Sequence, residues 1–300
     1  MRRFILPGLL ACCLSACDRT EPEPAATVET SIDAPAALAA VLHDYFEASL
    51  ELNPLAATSI GDDRFNDRLA IPISAEHRER SLAMEQQFLE RLRDVDRALL
   101  SEQDQLSYDL FRLQREWSIE AAAFPWYLQP INQFRSFMNS FVQLGSGEGL
   151  HPFATVKDYD DWLGRVDDFN EYVDTAISNM QEGAANGIVQ PRVLMAKVVP
   201  QLESQVVDSA EESGFWAPVS NMPDHFGEED RQRLTAAYRE AIESKVIPAY
   251  ARMMNFVTDD YMAAARDTVG LGALPGGRAW YEHLVRVRTT TELTPEEIHQ

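Results

Sequence analysis

From Thr155 to Gly187 the chain reads TVKDYDDWLGRVDDFNEYVDTAISNMQEGAANG, and within it Trp162, Val166, Phe169, Val173, Ile177 and Met180 recur at steps of three and four residues. That spacing places all six on one face of an α-helix. Thr155 and Asp158 form a capping box at the entry, while Gly183 and Gly187 mark the exit. A helix this long must bury its stripe against further layers, so its neighbours decide the fold class. No other stretch alternates with the period of a strand, and no hairpin dipeptide joins two strand-like runs. The expected class is all-α, an array of long amphipathic helices.

The helical period recurs on both sides. APAALAAVLHDYFEASLELNP carries Leu38, Val41, Leu42, Tyr45, Phe46 and Leu50 and ends at Asn53-Pro54. SAEHRERSLAMEQQFLERLRDVDRALL carries Leu82, Phe88, Leu89, Leu92, Val95 and Leu99 as its apolar stripe. Ser101 and Asp104 open another helix with Leu106, Leu110, Leu113 and Trp117. The aromatic-rich segment from Phe124 to Leu150, broken by Pro125, Pro130 and Gly145 to Gly149, fits one short helix and an exposed loop. Pro191 stands where a first-turn proline would in a helix running toward Glu212. A longer pattern from about Glu228 to Arg266 holds Leu234, Tyr238, Ile242, Val246, Tyr250, Met254, Val257 and Tyr261, with Pro248 expected to kink it.

The first residues are of another kind. MRRFILPGLLACCLSAC has two arginines, a short apolar run from Phe4 to Leu14, and then Leu14-Ser15-Ala16-Cys17, which resembles a bacterial lipobox. The reading is a signal peptide over 1–16 with Cys17 as the lipid-attachment residue, on the periplasmic side of the cell envelope, inner or outer membrane left open. Residues 17–35, rich in Glu, Pro, Ala and Thr, read as a disordered tether, and 36–300 as the helical domain. All 3 cysteines lie in or beside the leader, so the domain has neither a disulfide nor a cysteine metal site. A net charge of -22 repels phosphate backbones and argues against a nucleic-acid partner.

The search for chemistry excludes more than it finds. GLGALPGG lacks the third glycine of a dinucleotide fingerprint, no Walker A exists, and LGSGEG is not a nucleophile elbow. No two of the 6 histidines lie three or four residues apart, so H-E-x-x-H is absent and no catalytic or metal residue is assigned. The clusters around Asp62 and Asp158 do not match an EF-hand. One segment stands out: YEHLVRVRTTT, where Tyr281, His283, Arg286 and Arg288 follow a glycine-rich turn and could orient an anionic substrate group. The competing reading of that segment is a surface Glu282–Arg286 ion pair beside a polar linker.

Four ordered stretches carry a family resemblance: NPLAATSIGDDRFNDRL; LSYDLFRLQREW; HPFATVKDYDDWLGRV continuing to GIVQPRVLMAKVVPQL; and VIPAYARMMNFV leading to GLGALPGGRAWYEHLVRVRTTTELTPEEIHQ. Together they resemble the bacterial group catalogued as domain of unknown function 885. Its complete members look like lipoprotein zinc metallopeptidases about twice this length. The resemblance implies a helical N-terminal half forming one wall of a peptide-binding cleft. It also implies zinc for the complete protein, bound by an H-E-x-x-P-G-H helix in a C-terminal half that this chain lacks. Thr294 and Glu297 form a capping box around Pro295, a helix start with almost no helix after it, which fits a chain truncated at its C-terminal end. Such a half is expected to be inactive alone. The alternative is a non-catalytic helical lipoprotein that binds or scaffolds.

Overall fold

A computed structural model describes residues 33–134 and 136–299. The lipid-attachment residue Cys17, the signal peptide and most of the tether lie outside the described residues. The chain enters α1 (Ala34–Leu52), and Pro54, which cannot continue it, takes the first-turn place of a short α2 (Pro54–Ser59). Ser74 caps α3 (Ala75–Arg93), its hydroxyl accepting from the His77 amide, and Ser101 caps α4 (Glu102–Ala121) in the same way through Asp104. These helices enclose a small core of Leu38, Val41, Phe88, Leu92, Tyr108 and Phe111.

The face of α4 differs from the expected one. Tyr108, Phe111 and Arg115 point inward, while Leu106 and Leu110 are 52% and 51% exposed. The leucine period and the aromatic period on this helix compete, and the larger rings take the core. Arg115 follows them because a partner waits inside. Its Nε donates to buried Glu85, which also accepts from the Tyr45 hydroxyl, and the guanidinium covers the Tyr45 ring at 4.0 Å. Burial, then the Glu85 charge, pushes the Tyr45 hydroxyl up to about 12. Leu99 and Phe46, also expected inside, are exposed; Leu99 lies beyond the end of α3, which stops at Arg93.

The larger core is built around α6 (Val156–Ala185), which follows the nine-residue α5 (Phe137–Gly145). The capping box forms as expected: Asp158 N donates to Thr155 Oγ1 at 3.2 Å and Thr155 N to Asp158 Oδ2 at 2.8 Å. Tyr159, Trp162, Val166, Phe169, Val173, Ala176 and Met180 are fully buried, each of the large ones contributing about 1.5–3 kcal/mol relative to exposure. α7 (Arg192–Glu203) ends nine residues short of Glu212, after which come tight turns and α8 (Ala217–Ser220).

The expected kink at Pro248 takes a specific form. α9 (Glu228–Ala241) and α10 (Ile247–Asn255) are joined by a π-helical turn over Ile242–Val246, which widens the helix just ahead of the proline that cannot donate a backbone bond. A second π-helical turn, Phe256–Tyr261, leads to α11 (Met262–Ala264). Tyrosine hydroxyls fasten this limb to the core. Tyr238 donates to the Tyr159 carbonyl at 3.1 Å, Tyr250 to that of Met138 at 2.7 Å, and Tyr261 accepts from the Gln190 amide at 2.9 Å. After a glycine-rich turn come α12 (Gly277–Thr289) and α13 (Pro295–His299), the latter entered through the Thr294–Glu297 capping box. There is no strand among the described residues, only one isolated bridge between Pro191 and Arg266, and no described helix is long and apolar enough to cross a membrane.

Arg165, on α6, is completely buried and meets no carboxylate. Its Nε donates to the Arg68 carbonyl at 3.0 Å, Nη2 to Thr58 Oγ1 at 2.6 Å and Nη1 to His151 Nδ1 at 2.8 Å. An arginine cannot accept, so His151 Nδ1 is the acceptor and Nε2 carries the proton, donating to the Asp158 carbonyl at 2.7 Å. Burial chiefly, with Arg165 adding to it, pushes the His151 imidazole down to about 4. The native state therefore binds fewer protons here than the unfolded chain, whose histidine titrates near ~6.5. Stability contributed by neutral His151 is present above about pH 6.5 and lost as pH falls toward about 4. Thermal melts across that window should show a shallower decline for His151→Gln, which keeps a donor and an acceptor but does not titrate. Arg165→Met should cost about 3–5 kcal/mol at neutral pH, because its acceptors are left unpaired.

Candidate functional site

A groove runs where the 126–137 segment meets α12. Pro72, Trp126, Gln129, Phe137, Trp280 and Leu284 are among the residues lining a cavity of about 600 Å³. Pro72 and Trp126 also line a second cavity of about 370 Å³, between α3 and α4, with His77, Arg78 and Glu85. The walls of the first are mostly apolar and aromatic, with a few polar groups, the ordinary character of a pocket for an organic ligand, whereas the second is lined about equally by polar and apolar residues.

The walls are held by backbone bonding. Gln190, on the extended segment before α7, donates through Nε2 to the Ile131 carbonyl at 3.1 Å and fixes the floor. Two arginines tie down the end of the long 228–264 limb and the turn that follows it. Arg192 donates to the Met262 carbonyl and to that of Ala265, the latter at 2.8 Å. Arg266 reaches the carbonyls of Val189, Thr268 and Gly270 at 2.9, 2.7 and 2.8 Å. The glycine-rich turn is thereby tied to the segment before α7 and cannot swing away. Gly276 enters α12 with φ +68°, and a Cβ on Gly277 would lie 1.9 Å from the Leu271 carbonyl oxygen, so the helix starts closer to its own turn than any other residue allows.

The four residues singled out in the sequence sit on α12, where His283 and Arg286 meet at Glu120 and Tyr281 and Arg288 stay apart from them. His283 is buried, its ring 5.1 Å from that of Phe124, with Nδ1 3.3 Å from Glu120 Oε2 but without hydrogen-bond alignment. Arg286 pairs with Glu120 on α4, holding that carboxyl below its usual range. The expected Glu282–Arg286 pair is absent because Glu282 binds Arg278 at 2.5 Å, and Arg278 also holds Glu296 at 2.6 Å. Tyr281 and Arg288 are exposed, and the side chains that face the groove are their neighbours Trp280 and Leu284. Trp280 stacks on Phe124 at 6.2 Å, nearly parallel. The aromatic richness of the 124–150 segment was the available sign of Trp126 and Phe137; for Gln190 no local sign exists.

The acidic clusters serve as structure. Asp62 pairs with Arg64, Asp160 with Arg233 and Asp161 with Lys157. Among the described residues no three His, Cys, Asp or Glu side chains gather as metal ligands. His151 has both ring nitrogens engaged, and the residues described do not fit a zinc ion.

Residues 54–300 match the family described as bacterial protein of unknown function, DUF885. The chain belongs to that family. A crystal structure of a presumed lipoprotein from Colwellia psychrerythraea is similar to it, with TM-score 0.75 and 18% identity, covering 90% of this chain and 48% of that one. The chain thus spans about half the length of that protein, and at this identity the likeness is one of fold. No curated protein matches the chain.

α12 buries only Gly277 and His283, so its attachment should be the weakest in the groove. Gly277→Ala should raise amide hydrogen exchange across 277–289 by at least tenfold while shifting the global melting temperature little. Exchange followed by mass spectrometry reads both effects on one sample.

Proposed function

We propose that this member of the DUF885 family forms the helical wall of a peptide-binding groove in a zinc-metallopeptidase-like hydrolase of the bacterial cell envelope. Lipid at Cys17 would hold it on the periplasmic side. The observation that carries the reading is the groove itself: a cavity of about 600 Å³ walled by Trp126, Phe137 and Trp280, with a second cavity that shares Pro72 and Trp126 with it. An apolar, aromatic-walled groove with scattered amide groups suits a peptide, whose side chains meet the rings and whose backbone meets the amides. The hydrolytic centre, with zinc on an H-E-x-x-P-G-H helix, would come from residues other than those described, since these do not fit the metal. The remaining half of a full-length member and the membrane are the partners this reading requires.

The second reading is a non-catalytic lipoprotein that binds or scaffolds. Its support is the exposed pair Leu106 and Leu110 on α4, one turn apart, an apolar strip suited to another protein.

Calorimetric titration and zinc analysis separate the two. The purified chain should hold no stoichiometric zinc and show no peptide hydrolysis, yet bind the neutral peptide acetyl-Ala-Phe-amide. Trp280→Ala should weaken that binding about tenfold, the usual scale for losing one stacked ring. Turnover should appear when the chain is combined with the H-E-x-x-P-G-H half of a longer family member. Stoichiometric zinc with turnover by this chain alone would overturn the division of labour, and unchanged peptide binding in Trp280→Ala would overturn the groove.

A further inference from the structure

Nearly every basic side chain in this acidic protein has found a carboxylate or a row of carbonyls. Arg78, in the first turn of α3, has not. It lines the cavity between α3 and α4, and its guanidinium carbon lies 3.4 Å from the centroid of the Tyr127 ring. Stacking of this kind occupies a face of the planar guanidinium and leaves its five N–H groups, which point outward in the plane, free to donate. None of the five makes a hydrogen bond or ion pair among the described residues, and Nε is shielded from solvent without an acceptor. Arg80, Lys197 and Arg288 also lack ion pairs but are exposed, where water satisfies them. Arg78 is half-buried.

The surroundings indicate what is wanted. Glu85 lines the same cavity but is already engaged by Arg115 and Tyr45, and Glu79 is exposed and makes no ion pair. His77 is half-buried, and burial holds it toward its neutral form. The nearby amide nitrogen of Gln129, lining the adjoining cavity, is likewise buried with no acceptor. Two orphan donors therefore flank the Trp126–Leu128 turn, one on each cavity, with apolar wall between. A ligand that satisfies them brings acceptors, and one that satisfies an arginine in its plane brings a planar, bidentate anion.

We propose that the cavity between α3 and α4 is a carboxylate-recognition subsite, in which the in-plane N–H groups of Arg78 receive a carboxylate of a peptide seated in the groove. The subsite rests on the reading of the groove as a peptide channel and adds to it a polarity: the acidic end or side chain lies toward α3. A carboxylate can come from a free C-terminus or from an acidic side chain, and three probes tell these apart. They are acetyl-Ala-Phe as the free acid, acetyl-Ala-Phe-amide, and acetyl-Asp-Phe-amide, each titrated calorimetrically into the full chain at neutral pH. At least one of the two anionic probes should bind about tenfold more tightly than the neutral amide, and which one identifies the source. Arg78→Gln should abolish that preference, Arg78→Lys should keep part of it, and Arg80→Gln should leave it intact. Circular dichroism melts confirm that each variant is folded. Equal affinity for all three probes, or a preference that survives in folded Arg78→Gln, overturns the subsite while leaving the groove standing. Failure of all three to bind overturns both.

Discussion

A guanidinium with no solvent and no carboxylate sets the terms for much of this fold. Arg165 lies on the buried face of α6, so it must be satisfied by whatever the chain brings to it. What arrives is a carbonyl from Arg68, a hydroxyl from Thr58 and the neutral imidazole of His151. Those three groups come from the loop before α3, from α2 and from the approach to α6 itself. One side chain thereby ties together three segments that are separate in sequence. The cost is a desolvated charge with no carboxylate bonded to it, and burial lowers the Arg165 pKa to about 10 against the pull of the Asp161, Asp67 and Asp168 charges.

The same logic, with carbonyls in place of water, closes the other end of the molecule. The long 228–264 limb yields at two π-helical turns, which accommodate Pro248 and then redirect the chain. Its last carbonyls are collected by Arg192, and Arg266 takes those of Val189, Thr268 and Gly270 beside it, two arginines that a sequence alone marks as surface charge. Through them the glycine-rich turn is set, and through the turn α12, so the position of Trp280 in the groove is traceable to two guanidinium groups elsewhere.

Periodicity and capping made much of this legible beforehand. The stripe from Trp162 to Met180 and the caps at Ser101, Thr155 and Thr294 depend on neighbours within a few residues, and they stand where local chemistry places them. The face of α4 was not legible, because two apolar stripes compete on it and only a buried partner for Arg115 decides between them. The end of α7 was missed because the residues after Glu203 form short turns instead of one helix. At the groove, the lining residues of α12 are Trp280 and Leu284, neighbours of the four that the sequence singled out. Tyr281, Arg286 and Arg288 announce chemistry by type, but Arg286 is claimed by Glu120, a hundred and more residues away. Trp280 and Leu284, which face the groove, look like ordinary core residues when read in line.

The buried tyrosines carry a different consequence. Apolar helices packed on apolar helices can slide, since a shift of one turn, about 5.4 Å, exchanges one set of oily contacts for another. Tyr238 and Tyr250 each donate to a single carbonyl, and Tyr261 accepts from a single amide, so a shift of one turn breaks all three bonds. Their hydroxyls act as register marks, telling this helical array which of its many near-equivalent alignments is the native one.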